Sequence, residues 1–121
     1  MMTDKKKNIL LSLSDVNNLE LLQKLIVQLN KDSNMSGLDW YFDPTLRPED
    51  LFNRLEEKIR NTLIEDPGLF SNLMYRIDIS EEHIIKQSGF DLVETTNKIA
   101  LLILKREWQK VWFRNKNLPL E

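Results

Sequence analysis

The stretch "IALLILKREWQKVWFRNK", residues 99–116, decides how this chain folds. Its first six residues, Ile99 to Leu104, are apolar without interruption. A helix through them is apolar on nearly every side, so it must be surrounded by protein rather than water. Beyond Lys105 the pattern becomes one-sided. At 100° per residue Leu101, Leu104, Trp108, Val111 and Trp112 share a seam that continues the buried face, with Trp112 at its edge. Asp91 is placed to cap such a helix, which is predicted over about residues 92–115 and is about 36 Å long at the usual rise per residue.

The opposite face of the same helix gathers Arg106, Lys110 and Arg114 at i, i+4 and i+8, with Phe113 beside them. Basic residues in a helix's last turns complement its negative end, and Glu107 lies within reach of Lys110 and Arg114, so a solvated charged surface accounts for most of this face. Phe113 has no such explanation. Arg106, Lys110, Trp112, Phe113 and Arg114 are therefore the candidate contact surface, for a protein partner or a second copy of the chain.

Working back from that helix, three glycines and four prolines punctuate apolar patterns of helical spacing. An all-α domain follows. Leu19, Leu22, Leu25, Ile26 and Leu29 fall on one side of a first helix over about residues 15–31, capped by Asp15, with Lys24 and Gln28 opposite. Pro48, Glu49 and Asp50 open a second, whose wedge of Leu51, Phe52, Leu55, Ile59, Thr62 and Leu63 faces away from Arg54, Glu57 and Asn61. Asp66 and Pro67 restart the chain as N-cap and N1 of a third, buried through Phe70, Leu73, Met74 and Ile77. Ser80 caps a short fourth that Gly89 ends, with Ile84 and Ile85 inward. The segment Ile9 to Leu13 has no clean period and reads equally as helix, strand or loop. The expected architecture is one compact bundle of about five helices over residues 1–121, its C-terminal helix long and largely buried, with residues 1–8 and 117–121 disordered.

Between the first two helices runs "DSNMSGLDWYFDPTLR", residues 32–47, with turn residues around Trp40, Tyr41 and Phe42. These rings either cap one end of the core or form a ligand or partner patch, which makes Trp40 and Tyr41 further contact candidates.

Bulk properties bound the function. The 121 residues are 41% hydrophobic and 30% charged, the balance of an ordinary globular domain. No apolar run approaches the roughly 20 residues of a membrane span, and the lysine-led amino terminus lacks a cleavage site, so neither a membrane nor a secretory route is expected. The net charge of −2 hides an asymmetry: residues 39–94 carry thirteen acids and six bases, whereas residues 98–116 carry six bases against Glu107 alone. Such polarity either steers a charged partner or is neutralised inside the fold.

Familiar chemistries are missing. The absence of cysteine removes disulfides, thiolate nucleophiles and thiolate metal sites, and suits a cytoplasmic setting. His83 is the single histidine, expected on an exposed surface, and neither a metal nor a cofactor is expected. No G-x-S-x-G, P-loop or dinucleotide fingerprint occurs. The plentiful acids, among them Asp39, Asp43, Glu49, Asp50, Glu56, Glu57, Glu65 and Asp66, track helix starts and solvent faces.

The blocks "LMYRIDISEEHI" and "LILKREWQKVWFRNK", in this order, resemble a family of small bacterial proteins with no assigned biochemical activity. The resemblance covers about residues 70–116, carries over no functional residue, and implies a bacterial cytoplasmic setting. The expected function is a non-enzymatic interaction or accessory protein, open to self-association. A nucleic-acid-binding protein using the basic face is the alternative. An enzyme with a carboxylate-based pocket near Trp40 is a second, and it requires two converging acids in a concave site.

Overall fold

In the computed structural model the described residues are 19–80, 82 and 91–116, and every element among them is helical. The helices are α1, Leu19–Met35; α2, Pro48–Glu65; α3, Pro67–Arg76; and α4, Leu92–Lys116. Four helices stand here where about five were expected; the short one between Ser80 and Gly89 falls outside the described residues, as do Asp15, the segment 9–13, His83 and both chain ends.

Helix α4 packs along both α1 and α2, and α3 closes the bundle against α2 and α1. The uninterrupted apolar run makes this possible. Ile99, Ala100, Leu101, Ile103 and Leu104 are all buried, and Val111 extends the core toward the carboxyl end. Against them lie Leu22, Leu25, Ile26 and Leu29 of α1, Leu51, Phe52, Leu55 and Ile59 of α2, and Phe70, Leu73 and Met74 of α3. The 3.6-residue patterns that define each helix thus turn their apolar faces onto one common core.

Local chemistry sets the boundaries. Pro48 begins α2 at N1, where its missing N–H costs nothing, with no side-chain cap from Arg47. The Asp66 carboxylate accepts from the Leu69 N–H at 3.3 Å and starts α3 directly after α2. At α4 the Asp91 carboxylate accepts from the Glu94 N–H at 3.0 Å. All three starts match the sequence reading.

Helix α1 runs four residues past its expected end. Ser33, Asn34 and their neighbours look like loop formers, yet the Ser33 hydroxyl and the Asn34 amide both donate back to the Asn30 carbonyl, at 3.0 and 2.6 Å, and stay within the helical turn. The helix stops only where Gly37 takes a left-handed φ of 97°. There the Leu38 N–H bonds the Ser33 carbonyl and the Gly37 N–H bonds the Asn34 carbonyl, the paired closure of a Schellman motif. Helix α3 ends the same way, with Ile79 bonding Met74, Asp78 bonding Tyr75, and Asp78 in the left-handed position at φ 60°. A residue with a Cβ is disfavoured there by about 1–2 kcal/mol.

The two closures make opposite predictions. In Gly37→Ala the new Cβ meets the Leu69 Cδ2 at 2.9 Å as well as the unfavourable φ, so a loss of about 1–2 kcal/mol is expected in urea unfolding. Asp78→Gly relieves the same backbone strain on an exposed residue and should gain about 0.5–1 kcal/mol in the same measurement.

Candidate functional site

Where α1, α3 and α4 meet, charge is carried into the protein interior. Asp32, in the last turns of α1, has a side chain only 2% exposed. Its Oδ1 accepts from the Gln28 amide at 3.1 Å and from Arg76 Nε at 3.0 Å. Its Oδ2 accepts from Lys110 Nζ at 2.8 Å. Burial alone would raise the Asp32 pKa, but the hydrogen bonds from Glu107, Lys110 and Gln28 and the Lys110 charge override it, holding the group below its ordinary 3.8. Asp32 is therefore a carboxylate, tied to a cation from each of two other helices.

Glu107 lies against it, fully buried on α4. Burial comes first among the causes that push its carboxyl up to about 8, followed by the hydrogen bond and the negative charge of Asp32; Lys110, with Nζ 3.5 Å from Oε1, only partly offsets them. Its surroundings therefore favour the neutral carboxylic acid over the carboxylate. The sequence reading put Glu107 on a solvated face, and the structure corrects this. A signal was there to find: Leu104, Glu107 and Val111 are spaced three and four apart, which places the acid inside the apolar stripe. Gln28, expected opposite the buried face of α1, is likewise buried, because it donates to Asp32.

This cluster changes what the basic face offers. Lys110 is held inward by Asp32 and Glu107. Arg106 stands 3.7 Å from Asp78 at the end of α3. Arg114 lies further along α4, beside a groove of about 720 Å³ whose walls include Val27, Lys31, Pro44 and Val111. The aromatic pair behaves differently. Trp112 and Phe113 are 46% and 59% exposed, and Trp112 stacks on the half-buried Trp108 with ring centroids 6.2 Å apart. Trp112 therefore sits outside the seam that buries Val111.

The aromatic loop divides cleanly. Residues 38–43 belong to no helix, and burial alternates along them: Leu38, Trp40 and Phe42 are buried while Asp39, Tyr41 and Asp43 are exposed. Asn30 fixes that register by reaching from α1 to the Phe42 backbone, donating to its carbonyl at 2.9 Å and accepting from its N–H at 2.8 Å. Trp40 donates its indole N–H to the Thr62 hydroxyl at 3.3 Å and meets Phe42 edge to face. Trp40 is part of the core. Tyr41, exposed, borders a cleft of about 420 Å³ with Asp43, Arg47, Asp50 and Arg54. Hydrogen bonds from the Thr45 side chain and backbone hold Asp43 below the usual carboxylate range. Among the described residues, no group of three or more metal-ligating side chains converges.

The buried carboxylate gives a direct prediction. Asp32→Ala strands Glu107 and unties Arg76 and Lys110, so a loss of about 3 kcal/mol at neutral pH is expected, the low end for a broken buried pair because both cations are one-third exposed. Because the Asp32 pKa is depressed by folding, its stabilisation is present above about 3.8 and is lost as pH falls through the folded value. Urea midpoints measured from pH 7 down to pH 3 should therefore fall less steeply at the acid end in Asp32→Asn than in the parent.

No family model, no curated protein and no solved structure matches this chain, so geometry alone carries the functional reading.

Proposed function

We propose that this chain is a non-enzymatic interaction protein, and that its contact surface is the carboxyl end of α4, where the consecutive residues Trp112 and Phe113 are both about half exposed. That pair carries the reading. Large aromatic rings in water are costly on a helix whose other face is already satisfied by a core, and paired aromatics beside an arginine are the residues that contribute most at protein interfaces. Arg114 and the groove between α1 and α4 lie alongside, giving a partner a concave, basic border. The partner is another protein or a second copy of this chain. A cytoplasmic setting accords with the absence of cysteine, and no described helix is long and apolar enough to cross a membrane.

The nucleic-acid reading has less support, because the central cation of its ridge, Lys110, is drawn inward by Asp32 and Glu107, and Arg106 has an exposed carboxylate, Asp78, 3.7 Å away. An acid-based enzyme has less still. Two carboxyls do converge, Asp32 and Glu107, but both are buried beneath Lys110 and Arg76, and neither lines a described cavity.

The test compares the parent with Trp112→Ser/Phe113→Ser by light scattering across concentration and by affinity capture. Both substituted side chains are exposed, so the fold should persist, as circular dichroism will verify. A dimer or a captured protein present with the parent and lost with the double variant is expected. Identical behaviour of the two chains would overturn the assignment.

A further inference from the structure

The hydrogen-bond inventory at Asp32 leaves one position open. Its carboxylate offers about four lone-pair sites, and three are filled by Gln28, Arg76 and Lys110. The Glu107 carboxyl shares Lys110 with Asp32, its Oε1 lying 3.5 Å from the same Nζ that stands 2.8 Å from Oδ2, while neither of its own oxygens has a hydrogen-bond partner. Two buried carboxyl groups side by side favour a proton on one of them, since two carboxylates out of water repel. From α1 Glu107 is faced by Asp32, from its own helix by Lys110, and from α3 by Arg76, which acts through Asp32. With the proton in place the cluster holds one carboxylate, one neutral acid and two cations. Without it, two carboxylates face each other and Glu107 has only Lys110, at 3.5 Å.

We infer that a single proton held by Glu107 and donated to Asp32 latches the end of α4 onto α1, so that its loss to solvent loosens the turns carrying Trp112 and Phe113. Only a proton moves, from the Glu107 carboxyl to water or hydroxide, and Lys110, one-third exposed and adjacent to both acids, borders its way out. The latch stands whether or not Trp112 and Phe113 meet a partner. If they do, pH sets how firmly the contact surface is held.

The direction follows from the raised carboxyl. The folded chain keeps this proton up to about 8 whereas the unfolded chain gives it up near 4.5. The latch therefore stays closed in the native protein up to about 8, and its contribution to stability is full below about 4.5 and is lost as pH rises through about 8. Across that window each pH unit multiplies the unfolded-to-folded ratio by up to about ten.

The decisive measurement is the ¹³C shift of the Glu107 side-chain carboxyl against pH in the intact protein, assigned by its disappearance in Glu107→Gln. A midpoint near pH 8 is expected, accompanied by a loss of amide protection, relative to the intrinsic exchange rate, over the α4 turns after Lys110. The glutamine amide can still donate to Asp32 but cannot ionise, so Glu107→Gln should show no change in amide protection, taken relative to the intrinsic exchange rate at each pH, over the same range, and its urea midpoint should be flat where the parent's declines. A Glu107 carboxyl that titrates near the ordinary 4.5 would sink the latch, and so would an exchange step that persists in Glu107→Gln. Should that variant fail to fold, the parent's carboxyl titration decides alone.

Discussion

A charged carboxylate in the interior of a small helical domain is the constraint around which the other contacts are arranged. Asp32 is out of water, and the desolvation of such a group costs several kcal/mol before anything is recovered. Recovery requires donors from fixed directions: Gln28 one turn back on α1, Arg76 from the end of α3, Lys110 from α4. Apolar packing alone tolerates sliding of one helix along another, but three donors on one carboxylate do not. The cluster thus sets the register of α1, α3 and α4, while the apolar core supplies most of the driving force for bringing them together.

The core itself is ordinary in composition and specific in arrangement. The run from Ile99 to Leu104 supplies apolar side chains on several sides of one helix, and only an element packed by two others can bury them. Helix α4 therefore lies along α1 and α2, and α3 closes the remaining side. The consequence reaches its carboxyl end. Past Val111 the chain leaves the core, and Trp112 and Phe113 emerge into solvent on turns tied to α1 through the contact of Lys110 with Asp32. A stiff support for exposed rings lowers the ordering cost of any contact they make.

The apolar faces were legible in the sequence because period alone reveals them. Leu55, Ile59, Phe70, Leu73 and Met74 are buried where the spacing put them, and the turns at Pro48, Asp66 and Asp91 announce themselves by residue type. The buried cluster is not legible in the sequence, for a different reason. Asp32, Arg76 and Lys110 are far apart along the chain, and each alone looks like solvated charge; their meeting depends on how three helices cross. Glu107 was the exception, an acid in an apolar stripe whose position could be taken as seriously as that of its leucine neighbour. The continuation of α1 through Ser33 and Asn34 was hidden by composition, since those side chains commonly leave a helix and here bond back into it.

The Asn30 clamp on Phe42 carries a constraint of another kind. Because the segment from Leu38 to Asp43 alternates inside and outside about a fixed anchor, its length is quantised. One residue added or removed between Gly37 and the clamp would exchange the roles of neighbouring side chains, bringing aspartates and a tyrosine hydroxyl to the places of an indole and a phenyl ring. Two residues would preserve the alternation and ask only for a bulge. Length variation in this connection should accordingly come in even steps, a parity rule imposed by one amide side chain.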